Sequence, residues 1–415
     1  MPLHPVPRLR LPGTPAGLVL HEARVRGPLT RSDLAAATGL SHATCARAVA
    51  ALLDAGLLEE LPPAASGTSA GRPGASVRCA APPWCHVGVH LGLRTTLAVV
   101  LDATGRVLRV REEPLDIPGL PATAAVDRVV TLARALAADA GRPVRTGGAA
   151  LTGHVHDNGR ITSPAYGWDR VDLVGRLSEA LGAPVAAAPH IAAMAAAELT
   201  ATPLADVRAS SGADPTAPAD APPAGASLYF YARETVGAAW TVGGAVHRPA
   251  HGDGSIGHLP PGPAVLLNGA TMQEALGDSG VIAAARSHGL DAAGPAELAE
   301  LARTRPLARR ILDERADLLG RAAALVADVV DPGRIILAGA AFTDDPVGLR
   351  HVAAALRRHS PVRRDVRVCR ARGRITRDAA AAVALDALHA DPLAVAEGAA
   401  PTPATIPGRR RARAA

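Results

Sequence analysis

The stretch Thr30–Gly56, TRSDLAAATGLSHATCARAVAALLDAG, reads as two short helices joined by a glycine turn. Thr30 caps the first, and Asp33 sits three residues on, the spacing at which two side chains satisfy each other's bare amides at a helix start. Gly39 stops that helix after Thr38, since a left-handed residue is needed there and glycine has no Cβ to oppose it. Ser41 caps a longer helix through Ala55, and Gly56 ends it. Leu40, Cys45, Val49, Leu52 and Leu53 fall at helical spacing and form its buried face. Its start presents Ser41, His42, Ala43, Thr44 and Arg47 on the other side. Those types suit a DNA groove: Arg47 reaches a guanine edge or a phosphate, and the methyls of Ala43 and Thr44 meet thymine. Arg31, just before the first helix, is placed for a phosphate.

Pro15 to Arg26 reads as a preceding helix, after a flexible 1–13. Leu57 to Leu61 reads as a strand, and Arg72 to Cys79 as its return across a Pro-, Ala-, Ser- and Gly-rich loop. The tip, Gly71-Arg72-Pro73, offers Arg72 to a narrow minor groove. Residues 1–82 thus make a winged helix-turn-helix with double-stranded DNA as its expected partner. A helical hairpin used for protein contact is the competing reading. The first 80 residues carry eight arginines against five acids, a net +3 that favours DNA.

The whole chain has 415 residues, a net charge of +6 and 44 basic residues, every one arginine. Length allows two or three domains. With only 2% aromatics, the core must be built from Leu, Val, Ile and Ala. Cys45, Cys79, Cys85 and Cys369 have no metal-ligand spacing, and Cys79 and Cys85 are expected to be reduced. There is no signal peptide pattern and no apolar run of about 18 residues, so a cytoplasmic protein without a membrane partner is expected.

From Trp84 the pattern becomes alternating strands and helices, an α/β arrangement. Lobes are expected at 83–202 and 227–374, separated by a disordered 203–226 dense in Ala, Pro, Asp and Ser. A helix over 375–390 should return to the first lobe, and 391–415 should be a flexible basic tail.

Several body segments resemble the ROK family (repressors, open reading frames and kinases), in its repressor branch. His86-Val-Gly-Val-His-Leu-Gly-Leu is similar to the first phosphate-loop hairpin of the actin-like ATPase fold. Thr152-Gly153 through Gly167-Trp168 resembles the family's glycine turn and Asn-x-Gly-Trp segment. Gly254-Ser-Ile-Gly257-His258 is similar to its Gly-Glu-x-Gly-His stretch, and Ile335–Ala341, IILAGAA, to the strand near the adenosine site. Gly71-Arg72-Pro73 is similar to the family's wing motif. The resemblance implies a two-lobed, sugar-kinase-like body behind the winged head, and a homodimer or tetramer.

It also exposes what is missing. Phosphoryl transfer needs a carboxylate to take the sugar hydroxyl proton and open loops around the phosphates. By resemblance the catalytic Asn-Asp pair aligns with Pro189-His190, and the first loop's acid and threonine with His90 and Arg94. The second phosphate loop aligns with Arg233-Glu234-Thr235, the sugar-binding glutamate with Ser255, and the asparagine before Gly-Trp with Ala165. The zinc cysteines align with Val265, Leu267 and Met272, which should pack that loop by apolar contact, so no metal and no cofactor are expected. His258, Glu274, His190 and Trp168 remain as candidates to meet a sugar or sugar-derived effector. The expected function is a DNA-binding repressor with a catalytically inactive body, not an enzyme. The alternatives are a sugar kinase fused to a DNA-binding head, and a regulator with no sugar ligand.

Overall fold

The computed structural model describes residues 6–62, 75–210, 225–371 and 373–398. Arg72, the 211–224 part of the expected disordered insertion and the arginine-rich end lie outside the described residues.

The head is built from α1 (Pro15–Arg26), α2 (Arg31–Thr38) and α3 (His42–Asp54). Thr30 and Asp33 form the reciprocal cap, Gly39 turns at φ 75°, and the Ser41 hydroxyl accepts the Thr44 amide. A three-stranded sheet in the order β1 (Leu29–Thr30), β3 (Ser76–Cys79), β2 (Leu58–Glu60) closes the head.

Two five-stranded sheets of like topology form the body. In lobe 1, β4 (Cys85–Leu91), β5 (Thr95–Leu101) and β6 (Val107–Pro114) make an antiparallel meander. On its other side, β7 (Val144–Leu151) and β11 (Val185–Pro189) join β4 in parallel. Between them in sequence, β8 (His154–Val155), β9 (Ile161–Ser163) and β10 (Trp168–Val171) form a small separate sheet. Lobe 2 repeats the five-stranded plan: β12 (Ala226–Ala232), β13 (Val236–Val242) and β14 (Ala245–Val246) are antiparallel. There β15 (Arg334–Ala338) and β16 (Asp365–Val368) extend β12 in parallel. This is the duplicated sheet of the actin-like ATPase fold. Helices α4 (Ala122–Ala140) and α5 (Leu173–Leu181) cover one face of lobe 1, and α6 (His190–Thr200) and α7 (Leu204–Ser210) lead from it towards lobe 2.

The helix Ile375–Ala384 returns to the lobe 1 sheet, and its fit depends on glycine. A Cβ on Gly148 would fall against the backbone of Val383 and Ala384, which cannot rotate away. Gly148→Val is therefore expected to cost about 3 kcal/mol or more, seen as a lower denaturant midpoint with an unchanged slope.

Three expectations about the chain's edges need correction. The 1–13 segment is not loose over its described part: the Leu11 amide donates to Gly244 O at 2.8 Å and the Val246 amide to Leu9 O at 2.9 Å. The amides of Arg8 and Leu9 each donate to the Asp386 carboxylate at 2.7 Å. The stretch expected to be disordered from residue 203 opens with α7, whose Leu204 is buried. The expected flexible tail begins with the short helix Pro392–Ala396, whose Val395 is buried against the head. The head also packs directly on the body. Its core residues Val19, Leu34, Val49 and Leu52 belong to one continuous cluster with Val99 and Leu101 of the lobe 1 sheet and Leu388 of the C-terminal segment. Composition could not reveal these contacts, because each joins residues remote in sequence.

Candidate nucleic-acid interface and inter-lobe cleft

On α3, Cys45, Ala48, Val49 and Leu52 are buried, while Leu40 and Leu53 are half-buried at the edges. That leaves Ser41, His42, Ala43 and Arg47 exposed together at the helix start, with Thr44 half-buried beside them. Among the described residues the Arg47 guanidinium meets only the Thr44 hydroxyl, at 3.4 Å, so it is nearly free to reach outward. Arg31 is different. Its guanidinium donates to the Glu60 carboxylate at 2.6 Å, an ion pair that a phosphate must compete with. The pair is 40% and 51% exposed, so its net worth is under about 1 kcal/mol and a phosphate can displace it.

The second site lies between the lobes, a cleft of about 1140 Å³. The β4–β5 turn brings Arg94 to it from lobe 1, and the β12–β13 turn brings Arg233, Glu234 and Thr235 from lobe 2. These equivalent hairpin turns are where the fold places phosphate loops. Ser255, His258 and Ala165 also reach the cleft.

The four candidate ligand residues do not gather there. His258 is exposed on the cleft wall. Glu274 is spent on its own helix: its carboxylate accepts the amides of Ala270 at 2.9 Å and Thr271 at 3.2 Å, completing a capping box. The Thr271-x-x-Glu274 spacing carries that signal in the sequence. Trp168 is 3% exposed and packs edge-on against Tyr166 in the lobe 1 core, 5.1 Å between ring centroids. His190 stands one layer behind the cleft. Its Nδ1 lies 3.0 Å from the Thr152 hydroxyl and its Nε2 3.4 Å from that of Thr235, and both threonines line the cleft.

Behind the cleft His190 stacks on His90, with centroids 5.8 Å apart. Burial lowers the His190 pKa to about 4, with Asp253 opposing. Burial, His190 and Arg233 together lower that of His90 to about 3. Both rings are neutral at pH 7. A group that loses its proton near pH 4 is a poor general base at neutrality, and the threonines already occupy the ring nitrogens of His190.

Leu267 and Met272 are buried as expected for a cysteine-free loop, but Val265 is 87% exposed and packs nothing. Its amide instead donates to the Glu314 carboxylate, which holds the loop by its backbone. Among the described residues no group of three or more His, Cys, Asp and Glu side chains is placed to hold a metal ion. No helix among them is long and apolar enough to cross a membrane.

No family model matches the chain. Transcriptional regulators of Mycobacterium tuberculosis and Mycobacterium bovis are 36% identical to it over 403 residues, covering 93% of this chain and 88% of theirs. Among solved structures, a ROK family transcriptional regulator homologous to the E. coli MLC protein superposes with a TM-score of 0.71 at 20% identity, over 92% of this chain and 98% of its own. A ROK glucokinase from Streptomyces griseus, solved with glucose and AMPPNP, superposes with a TM-score of 0.58 at 20% identity, over 72% of this chain and 99% of its own. The additional fifth of the chain has a counterpart in the regulator structure and none in the kinase.

Proposed function

This chain belongs to the ROK family of transcriptional regulators, and from that premise we propose that it is a repressor whose α3 reads the major groove of a palindromic operator while its kinase-like body transfers no phosphate. One contrast carries the reading. The reading helix is capped, packed and exposed at Ser41, His42, Ala43 and Arg47. The position for a catalytic carboxylate holds a buried, neutral imidazole behind two threonines. Ser41, His42, Ala43, Thr44 and Arg47 are the base-side contacts, Arg31 and Arg72 the backbone and wing contacts, and the protein works in the cytoplasm where its operator lies. No metal or cofactor takes part.

The test has two arms. Fluorescence anisotropy should give tighter, salt-dependent binding to a duplex of the chain's own promoter region than to random duplex. A coupled assay with ATP and a panel of hexoses should give no sugar-dependent turnover. Equal affinity for both duplexes removes the DNA reading, and turnover restores the kinase.

The inter-lobe cleft is the effector site, with His258 on its wall. A sugar or sugar derivative is the inherited ligand class. The loss of the sugar-binding carboxylate at Ser255 and of the amide at Ala165 favours the second reading, a regulator with no sugar ligand. Calorimetry with sugars and sugar phosphates separates them: saturable heat supports the first, and its absence across the panel the second.

A palindrome requires two heads, so the body must pair. Leu325 and Val329, one turn apart on the helix Pro306–Val330, are 61% and 81% exposed, and Val362 and Val366 are 50% and 39% exposed. The carboxylate of Asp328 accepts hydrogen bonds from Ser360 and Arg364, which holds the segment that carries Val362 against the helix that carries Leu325 and Val329. The double variant Leu325→Asp/Val329→Asp is expected to be monomeric by light scattering and to bind a palindromic duplex about 100-fold more weakly, because the second head no longer arrives with the first.

A further inference from the structure

One helix runs from the cleft to the head. Helix α6 begins at His190, whose ring touches Thr152 of lobe 1 and Thr235 of lobe 2, both cleft-lining residues. It ends at Thr200, where its last carbonyls face the head. The Arg24 guanidinium of α1 donates to Thr200 O at 2.5 Å, and His21 Nε2–H donates to Thr202 O at 3.0 Å. The Glu22 carboxylate accepts the amide of Leu204, the first residue of α7, at 2.7 Å. Three polar contacts from one turn of the head's first helix therefore hold the joint between α6 and α7. Farther along α7, Arg208 donates to Thr38 O at the end of α2, at 3.4 Å.

These contacts are costly ones to keep. His21 and Glu22 are each 1% exposed, and Arg24 is half-buried, its Nε shut away from water and unpartnered among the described residues. A guanidinium drawn partly out of water and answered mainly by a carbonyl gains little over an apolar side chain of the same shape, so stability does not explain it. Geometry does. The last carbonyls of a helix carry partial negative charge, and Arg24 binds α6 at that end with a direction and a distance that an apolar contact would not fix.

The helix also has room to shift on its lobe 2 side. Its sequence, HIAAMAAAELT, puts alanines against lobe 2, and a cavity of about 110 Å³ lies along its far half, bounded by Ala195, Glu198, Thr202 and Tyr229. Closing the cleft around a ligand moves Thr152 and Thr235 relative to each other, and the ring between them is the first residue of this rod. Small sliding of a packed helix is a known form of lobe closure.

We propose that α6 couples the inter-lobe cleft to the DNA-binding head, and that His21, Glu22 and Arg24 are the positioning residues through which its far end sets the angle of α1. The proposal rests on the regulator reading above. Coupling between two sites is reciprocal, so it can be read from the DNA side with no effector in hand.

Hydrogen exchange of the full chain is followed with and without a duplex of its own promoter region. In the wild type, DNA is expected to slow exchange at least about twofold in 190–204 and in the cleft turns 92–95 and 233–235, beyond the head itself. In Arg24→Met, which keeps length and removes the buried charge, that remote change should vanish while DNA affinity stays within about threefold. Glu22→Ala should behave the same way, and Glu22→Gln, whose amide oxygen still accepts from Leu204, should retain the change. If Arg24→Met unfolds, as circular dichroism would reveal, the two Glu22 variants decide. Wild-type protein that binds DNA with no change in 190–204 overturns the coupling and leaves the regulator reading standing; so does a full remote change in both Arg24→Met and Glu22→Ala. Wild-type protein that does not bind DNA overturns both.

Discussion

Arg47→Glu is expected to weaken binding to the operator by about 100-fold or more, with the melting temperature unchanged within about 2 °C. The stability half follows from the structure: Arg47 is exposed and, among the described residues, its guanidinium bonds only to Thr44, at 3.4 Å, and such surface positions contribute within about 0.5 kcal/mol. The affinity half follows from chemistry. One good arginine contact to a base edge is worth about 1–3 kcal/mol, and two heads on a palindrome double it. At 1.4 kcal/mol per tenfold, removal alone gives roughly 30-fold to 10⁴-fold. The new carboxylate also repels the phosphates, so the loss should be steeper in low salt. Arg47→Ala should show the base-contact part alone and Arg47→Lys a partial recovery. Anisotropy titrations at two salt concentrations read all three; affinity unchanged in Arg47→Glu removes α3 from the interface. Ser41→Ala is the needed contrast, since the Ser41 hydroxyl accepts the Thr44 amide at 3.2 Å and caps the helix. Its cost of about 1 kcal/mol should appear in stability first and in DNA binding second.

The head was readable because its signals are local. A capping box at Thr30 and Asp33, a left-handed glycine at 39 and a serine cap at 41 lie within a dozen residues, and each asserts a helix boundary through its own side chain. The apolar spacing of Cys45, Val49 and Leu52 fixes which face is free. The lobes were readable for another reason. Hairpin turns and short apolar strands recur at matching places in the two halves, and the family resemblance supplied their pairing.

What was not readable is long-range and polar. Nothing in the α1 stretch HEAR marks His21 and Glu22 as buried or Arg24 as engaged, because their partners are backbone atoms near residue 200. A carbonyl has no sequence signature. Trp168 and Glu274 failed as ligand candidates for the converse reason: each matched or neighboured a family motif, but its local environment had already used it. The tryptophan fills the lobe 1 core and the glutamate caps its helix. Had the Thr271-x-x-Glu274 spacing been weighed as the Thr30-x-x-Asp33 spacing was, Glu274 would have been assigned to structure. Motif matches locate a site; the nearest backbone amides decide whether a polar side chain is free to serve it.

Acid should unfold this protein early, and its histidines are the cause. His21 is held at a pKa of about 4, mainly by burial and then by Arg24, and burial holds His86 at about 3. His90 and His190 lie at about 3 and about 4, and His389 well below the ordinary value, all chiefly through burial. In the unfolded chain each returns to about 6.5. Below that pH the unfolded state takes up protons that the native state refuses, so stability is full above about pH 6.5 and falls as pH drops towards 4. Each group contributes about 1 kcal/mol of loss between pH 7 and 5.5, roughly 5 kcal/mol for all five. Asp386 acts in the opposite sense: burial outweighs its hydrogen bonds from Arg8 and Leu9 and raises it to about 6, so the native state binds its proton first. That returns roughly 1 kcal/mol over the same window. The net loss of about 4 kcal/mol is a large part of an ordinary stability of about 5–15 kcal/mol. Denaturant titrations at pH 7, 6 and 5.5 should show the midpoint falling steeply and continuously, and His86→Leu should flatten the slope by about one proton's share. A midpoint that stays level to pH 5.5 would mean these rings accept protons in place, and would sink the claim that they are buried neutral, His21, His86 and His389 where the head meets lobe 1 and the C-terminal helices, and His90 and His190 behind the cleft.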